Sequence, residues 1–92
     1  MNGLIGDIGN TVTKICLIDV NTFKIKKMFY FQSKDINSNQ LLNKNFIKIL
    51  KRGRFAKNTL FSSVVPKYTF LVKKFLKKKY KINFFEIKDN NI

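Results

Sequence analysis

The sequence is poor in the groups that most enzymes use for acid–base and metal chemistry. It has no histidine, one cysteine and five acidic side chains, which are Asp7, Asp19, Asp35, Glu86 and Asp89. A single cysteine excludes an intramolecular disulfide. Without histidine, general-base catalysis would depend on a carboxylate held against the group it deprotonates, and few carboxylates are available.

Long apolar runs are also missing. No stretch approaches the roughly 20 apolar residues that a membrane span needs. The first residues lack the basic segment and the long apolar segment of a signal peptide. The sequence therefore predicts no membrane partner and a cytoplasmic location.

What the sequence does contain is enough apolar material for a small core. The chain has 92 residues, of which 45% are hydrophobic and ten are phenylalanine. Domains typically have about 100–150 residues, so the length allows one domain at most. The apolar content argues against a disordered tail.

The positive charge is large, but its composition weakens a nucleic-acid interpretation. The formal net charge is +14, and of the 19 basic residues only Arg52 and Arg54 are arginine. Arginine is the side chain favoured for recognising phosphates and bases. Lysine, asparagine, isoleucine and phenylalanine have A/T-rich codons, so base composition alone could enrich the chain in lysine. These observations argue against nucleic acid as a partner.

Three short apolar or alternating segments near the N-terminus predict three consecutive antiparallel strands. They are residues 4–7, 13–19 and 23–32. Gly9 and Asn10 supply the first turn, and Asn21 and Thr22 supply the second. The chain is thus predicted to open with two hairpins.

Helices and strands then alternate. Apolar residues at helical spacing between residues 41 and 50 follow a polar cluster that can cap a helix, and Gly53 supplies a stop. Pro66 can begin a second helix, because its missing N–H is not needed in the first turn. That helix has an apolar face, and on its opposite face lie Lys67, Lys74, Lys78 and Lys81. Residues 60–64 and 83–87 are predicted strands.

The segment with chemical content is the first turn and its flanks. A carboxylate ends the first strand, a tight turn with glycine, asparagine and hydroxyl groups follows, and a lysine begins the return strand. Such a turn can cradle phosphate with its backbone N–H groups, and Gly9 lets the backbone approach closely. Asp7 would serve Mg²⁺, through water. The predicted nucleotide-binding residues are Asp7, Ile8, Gly9, Asn10, Thr11, Val12, Thr13 and Lys14.

Two segments resemble type III pantothenate kinases. Asp-Ile-Gly-Asn-Thr at residues 7–11 is similar to that family's first phosphate motif, and Phe-Ser-Ser-Val-Val-Pro at residues 61–66 resembles its Ile-Ser-Ser-Val-Val-Pro signature. The order β-β-β-α-β-α-β is also that of a ribonuclease H-like lobe, as in actin, sugar kinases and heat-shock ATPases. The resemblance implies an α/β fold with a mixed sheet flanked by helices.

The resemblance also implies an activity, namely ATP-dependent phosphorylation of pantothenate on the path to coenzyme A. Its implied cofactors are ATP, Mg²⁺ and a monovalent cation, K⁺ or NH₄⁺, and its implied assembly is a homodimer. Residues 1–92 would form a single N-terminal lobe, with the C-terminal lobe absent. The family's catalytic Asp, in a Gly-Ala-Asp-Arg stretch, and its pantothenate-contacting segment match no residues here. We therefore assign no catalytic residue and expect a truncated form.

The sequence departs from the family pattern at one position, and it leaves two alternative functions open. Gly6 stands where the family usually has an apolar residue, which predicts a looser first strand. The first alternative is a small basic nucleic-acid-binding or resolvase-like module, which would need further carboxylates beside Asp7 to hold two metals. The second is an inactive gene fragment, or a half that needs a partner.

Overall fold

The computed structural model describes residues 1–51 and 53–87, and Arg52 and Asp89 lie outside that range. The elements follow the predicted order β-β-β-α-β-α-β, with one additional short 3₁₀ helix. They are β1 (Asn2–Ile8), β2 (Val12–Asp19), β3 (Ile25–Gln32), the 3₁₀ helix (Ser33–Asn37), α1 (Asn39–Leu50), β4 (Asn58–Ser63), α2 (Pro66–Tyr80) and β5 (Asn83–Glu86).

The five strands form one mixed sheet in the order β3-β2-β1-β4-β5. The two hairpins make β1–β2 and β2–β3 antiparallel, whereas β4 and β5 each return through a helix and lie parallel to their neighbours. Parallel pairing requires such a crossover. The first strand is therefore central, and its carboxyl end meets the end of β4.

The two helices and the 3₁₀ helix cover one face of the sheet. Buried side chains of β1 and β2 pack there against α1 and α2, and Phe46 of α1 meets Phe75 of α2 with ring centroids 5.5 Å apart. On the other face, Ile5, Leu60 and Phe85 are exposed among the described residues. None of the described helices has the length and apolar character to cross a bilayer.

Gly6 is a tight packing position, so the prediction of a looser first strand is wrong. The strand runs unbroken from Asn2 to Ile8 and pairs on both sides of Gly6. A Cβ placed on Gly6 would lie 2.1 Å from a ring carbon of Phe61, its partner on β4. That ring is fully buried and stacks on Phe84, with centroids 4.5 Å apart. The large Phe61 ring occupies the space that a side chain at position 6 would need.

The third strand begins two residues later than predicted because the second turn is longer. Asp19 accepts hydrogen bonds from the backbone N–H groups of Asn21 and Thr22 through one carboxylate oxygen, at 2.8 and 3.2 Å. These bonds lower the pKa of Asp19. Phe23 has a φ of 59° and cannot continue a strand there. Pairing with β2 therefore starts at Ile25.

The second helix begins and ends as its sequence indicates. Pro66 occupies its first turn, and Lys81 at its end adopts a left-handed conformation, with a φ of 57°. Val72, Phe75 and Leu76 are buried, whereas Lys67, Lys74, Lys78 and Lys81 are exposed. The predicted division of this helix into an apolar face and a lysine face is confirmed.

Candidate functional site

The turn between β1 and β2 is closed by its own backbone. The N–H of Gly9 donates to the carbonyl of Val12 at 3.1 Å. A Cβ on Gly9 would lie 2.8 Å from that same oxygen, so a side chain would push the turn open. Glycine is required here for close approach and not for an unusual φ.

Ser33, the first residue of the 3₁₀ helix, fastens this turn to the end of β3. Its hydroxyl donates to the carbonyl of Gly9 at 2.7 Å, and its backbone N–H donates to the carbonyl of Thr11 at 2.8 Å. The hydroxyl of Thr13 lies 2.7 Å from the Ser33 hydroxyl. Because Ser33 has one hydroxyl proton and Gly9 accepts it, Thr13 is the donor in that pair. Ser33 and Thr13 are both fully buried.

The tip of the turn carries free donors. Asn10 and Thr11 are exposed. Within residues 1–51 and 53–87 their backbone N–H groups donate no hydrogen bond, and the backbone bonds that hold the turn are donated by Gly9 and Ser33. Adjacent free N–H groups in a turn form a concavity that suits an anion.

A polar row crosses the sheet next to this turn. Asp7 is the register partner of Lys14 on β2 and of Ser62 on β4, and Lys14 is in turn the partner of Tyr30 on β3. Partners in register point to the same face, and here it is the face opposite the helices. Asp7 and Lys14 are exposed, and among the described residues the Asp7 carboxylate has no hydrogen bond or ion pair.

The eight predicted binding residues thus separate into two groups. The side chains of Ile8 and Thr13 are fully buried and hold the turn to the core. The side chains of Asp7, Asn10, Thr11, Val12 and Lys14 are exposed, and Gly9 is half-buried. The structure therefore brings the exposed group together around one turn, where the backbone and a carboxylate face solvent.

The described carboxylates are dispersed over the fold. No cluster of three or more histidine, cysteine, aspartate or glutamate side chains occurs among residues 1–51 and 53–87. Glu86 of β5 is in register with Phe61 of β4, which is in register with Gly6 of β1. Glu86 therefore points to the same face as Gly6, whereas Asp7, the next residue of β1, points to the opposite face. Asp7 and Glu86 therefore lie two strands and roughly 9–10 Å apart on opposite faces. They cannot share a pair of metal ions as the resolvase alternative requires.

Sequence reasoning missed two residues at this site. Ser33 was not singled out, because its contact with Gly9 spans 24 positions and depends on where β3 ends. Ser62 was given no role, and its place beside Asp7 follows from parallel pairing of β1 with β4. The sequence did contain a signal for Ser62, because residues 61–66 resemble a family signature. That segment ends β4, the strand that pairs with β1, and β1 carries Asp7 of the first phosphate motif.

Comparisons with known proteins agree with this geometry. The family model for type III pantothenate kinase matches residues 3–92. A type III pantothenate kinase from Pelagibacter ubique is 42% identical over 89 residues, which are 97% of this chain and 35% of that protein. The chain thus spans about a third of the length of that relative.

Two solved structures share the fold at low sequence identity. A candidate N-acetylmannosamine kinase from Listeria monocytogenes is similar over 99% of this chain and 36% of its own, with a TM-score of 0.63 and 14% identity. A candidate sugar kinase from Cytophaga hutchinsonii is similar over 94% of this chain and 35% of its own, with a TM-score of 0.56 and 18% identity. The predicted α/β, ribonuclease H-like and actin-like architecture is confirmed.

The family match extends over nearly the whole chain and includes the turn and the Ser-Ser-Val-Val-Pro segment that the sheet brings side by side. The chain belongs to the type III pantothenate kinase family.

Proposed function

We propose that the turn at residues 7–14 is the first phosphate-binding element of an ATP site. We further propose that the chain represents part of an enzyme that phosphorylates pantothenate to 4′-phosphopantothenate. The observation that carries the proposal is the pair of N–H groups at Asn10 and Thr11 beside the carboxylate of Asp7, none of which has a hydrogen-bond partner within residues 1–51 and 53–87. The family match supports the substrate, and the fold supports a nucleotide as the phosphate source.

The residues present fit a magnesium–nucleotide ligand. The N–H groups of Asn10 and Thr11 would donate to phosphate oxygens, and Lys14 would add positive charge on the same face. The carboxylate of Asp7 would hold Mg²⁺ through water, because Mg²⁺ keeps several waters and needs few protein ligands. ATP supplies the transferred phosphoryl group when it is bound.

The described residues account for binding and not for turnover. Phosphoryl transfer needs a group that accepts the proton of the attacking hydroxyl, and that group must differ from the carboxylate that serves the metal. Asp19 accepts hydrogen bonds from its own turn, Asp35 accepts one from the side chain of Asn45 in α1, and Glu86 lies on the other face of the sheet from Asp7. We therefore expect the 92-residue chain to bind the nucleotide without phosphorylating pantothenate.

Several features implied by the family remain predictions for this chain. They are the monovalent cation, the homodimer and the cytoplasmic location. The single-lobe assignment of residues 1–92 is also a prediction, and it is supported by one continuous core that joins all five strands and both helices.

Replacing Asp7 by Asn tests the proposed metal position. We expect Asp7→Asn to weaken binding of ATP with Mg²⁺ about tenfold, and to leave binding of ATP without Mg²⁺ equal or slightly tighter because a repelling charge is removed. The reason for the loss is that the amide cannot supply the negative charge that orders the hydrated metal. Isothermal titration with and without Mg²⁺ measures both values.

Asp19→Asn is the matched control. It removes the same charge from the sheet, but Asp19 pairs with Asn2 at the far end of β1 from Asp7. We expect that variant to bind ATP and Mg²⁺ like the unaltered chain. The absence of binding heat in the unaltered chain, or equal losses in the two variants, would count against the proposal.

A further inference from the structure

A groove lies between α1 and α2, on the helical layer of the fold and away from the face that carries Asp7. Its volume is about 530 Å³, within the range of roughly 300–1,000 Å³ found for small-molecule sites. Its apolar lining residues are Leu42 of α1 and Leu71 and Phe75 of α2, of which Leu42 and Phe75 are buried and Leu71 is half-buried. The groove therefore has the volume for a small molecule, and Leu71, which is half-buried, supplies its accessible apolar surface.

The two walls differ in chemistry. The α2 wall carries Lys74, Lys78 and Lys79. The wall formed by α1 and the 3₁₀ helix carries neutral amides, which are Asn37, Asn39, Gln40 and Asn43. No aspartate or glutamate is among the described residues that line the groove. One wall thus presents concentrated positive charge and the other presents hydrogen-bonding groups without charge.

The lysines of the groove are not equivalent. Lys79 donates a hydrogen bond to Asn43 across the groove, and its ammonium group lies 5.9 Å from the ring centroid of Phe75. Lys74 and Lys78 are exposed, and among the described residues they make no hydrogen bond or ion pair. Two like charges one helical turn apart repel each other, so an anion between them would relieve that repulsion.

Two contacts join the walls and limit the groove. Asn43 accepts from Lys79, and Asn37 donates to the hydroxyl of Tyr68 in a long hydrogen bond of 3.5 Å. A polymer that ran along the groove would have to break these contacts, whereas a compact ligand beside Lys74 and Lys78 would leave them intact. The two contacts therefore favour a small molecule over a nucleic-acid strand.

We propose that this groove binds a small organic phosphate, with its apolar or aromatic body against Leu71 and its phosphate between Lys74 and Lys78. Lysine binds phosphate as a point charge with rotatable donors, and the amides opposite can bond polar groups on the body. The site is separate from the turn at residues 7–14 and does not depend on the proposed kinase function.

The test uses 1-naphthyl phosphate as the probe and the amide signals of the ¹H–¹⁵N NMR spectrum as the readout. We expect saturable shifts at Asn43, Leu71 and Phe75 and none at Asn10 or Thr11. 1-Naphthol and inorganic phosphate each lack half of the recognised chemistry, so each should bind at least tenfold more weakly.

A pair of matched double variants separates the site from general charge. Lys74→Gln with Lys78→Gln alters the groove, and we expect about tenfold weaker binding of the probe. Lys73→Gln with Lys77→Gln removes the same charge at the same spacing, and both of its residues are exposed and outside the groove lining. We expect that pair to bind within about twofold of the unaltered chain, because neither side chain lines the groove and the bond that Lys77 donates to Asn83 lies outside it.

The other outcomes overturn the proposal. Equal losses in the two double variants would show attraction by net charge alone. Shifts at Asn10 and Thr11 in place of the groove would assign the probe to the turn. A single-stranded oligonucleotide that binds more tightly than 1-naphthyl phosphate, with the loss confined to the groove pair, would show a nucleic-acid site. Unchanged thermal unfolding of both double variants verifies that each remains folded.

Discussion

Replacing Gly6 by Ala is expected to destabilise the fold by about 3 kcal/mol or more. The new Cβ would lie 2.1 Å from a ring carbon of Phe61, far inside van der Waals contact. The ring cannot move aside easily, because it is fully buried and stacks on Phe84. Overpacking in a rigid core typically costs 1–3 kcal/mol, and this overlap is severe. At about 4–8 °C per kcal/mol, the melting temperature should fall by about 12 °C or more.

Gly3→Ala is the control on the same strand. Its Cβ would meet Val20 at 3.0 Å and Ile18 at 3.3 Å, and these are side-chain carbons that can shift by a few tenths of an ångström. We expect a loss below about 1 kcal/mol for that variant. Comparable losses at positions 3 and 6, measured by thermal or urea unfolding, would contradict the packing account.

Phe61→Leu supplies the second half of a double-mutant cycle. The smaller side chain leaves room above position 6, although it gives up the stacking on Phe84. We expect the double variant Gly6→Ala with Phe61→Leu to be more stable than the sum of the two single losses by at least about 1 kcal/mol, since residues in contact couple by 0.5–3 kcal/mol. Simple additivity would mean that Phe61 is not what excludes a side chain at Gly6.

Replacing Ser33 by Ala is expected to destabilise the fold by about 2–3 kcal/mol and to loosen the β1–β2 turn. The change leaves the carbonyl of Gly9 and the hydroxyl of Thr13 without their partner. Thr13 is fully buried, and an unsatisfied buried polar group costs about 1–3 kcal/mol. Urea unfolding gives the stability, and hydrogen exchange of the turn amides reports the loosening.

The Ser33 variant also connects the fold to the site. A turn that samples more conformations must be ordered when a ligand binds, so Ser33→Ala should weaken binding of ATP with Mg²⁺ as well as lower stability. Ser38→Ala is the comparison, because Ser38 caps α1 by accepting from the N–H of Leu41 and does not touch the turn. Losing that cap should cost about 1 kcal/mol and leave nucleotide affinity unchanged.

Thr13→Val distinguishes a network from two independent bonds. Once Ser33 is Ala, Thr13 has already lost its acceptor, so adding Thr13→Val should cost little more. Replacing both partners of a buried hydrogen bond by apolar groups can be nearly neutral. Full additivity of the two losses would contradict the hydrogen bond between the Ser33 and Thr13 hydroxyl groups.

Local sequence signals predicted most of this fold. Gly53 follows the end of α1 and Pro66 begins α2, as predicted. Both signals depend on the backbone conformation of a few neighbouring residues. The extra 3₁₀ helix and the late start of β3 were missed. Both depend on particular hydrogen bonds, of Ser33 to the first turn and of Asp19 to the second, that hydrophobic periodicity does not encode.

The error at Gly6 has a different origin. Taken alone, a glycine within a strand suggests weak packing. Its effect reverses because Phe61, 55 positions away, fills the same space across a parallel pair of strands. Compensation between distant positions depends on register, and one sequence does not reveal register between parallel strands joined by a helix.

The sequence predicted where the site lies but not which role each of its residues plays. The motif indicated which eight residues surround the turn, but it could not separate those that face solvent from those that support. Thr13 carries a hydroxyl like Thr11, yet strand alternation turns Thr13 into the core and leaves Thr11 at the tip. The structure therefore leaves fewer side chains that could contact a ligand, and it makes the backbone N–H groups of Asn10 and Thr11 the main candidate donors.

The central claim is that the backbone of this turn binds the phosphates of a nucleotide. A ¹H–¹⁵N NMR titration of the 92-residue chain with ATP and Mg²⁺ tests it most directly. The account predicts saturable shifts at Gly9, Asn10 and Thr11, with smaller shifts at Asp7 and Lys14, and these shifts persist in the Lys74→Gln, Lys78→Gln variant that alters the groove. The account would be contradicted if the turn amides did not move while ATP bound elsewhere, or if no signal moved at any nucleotide concentration.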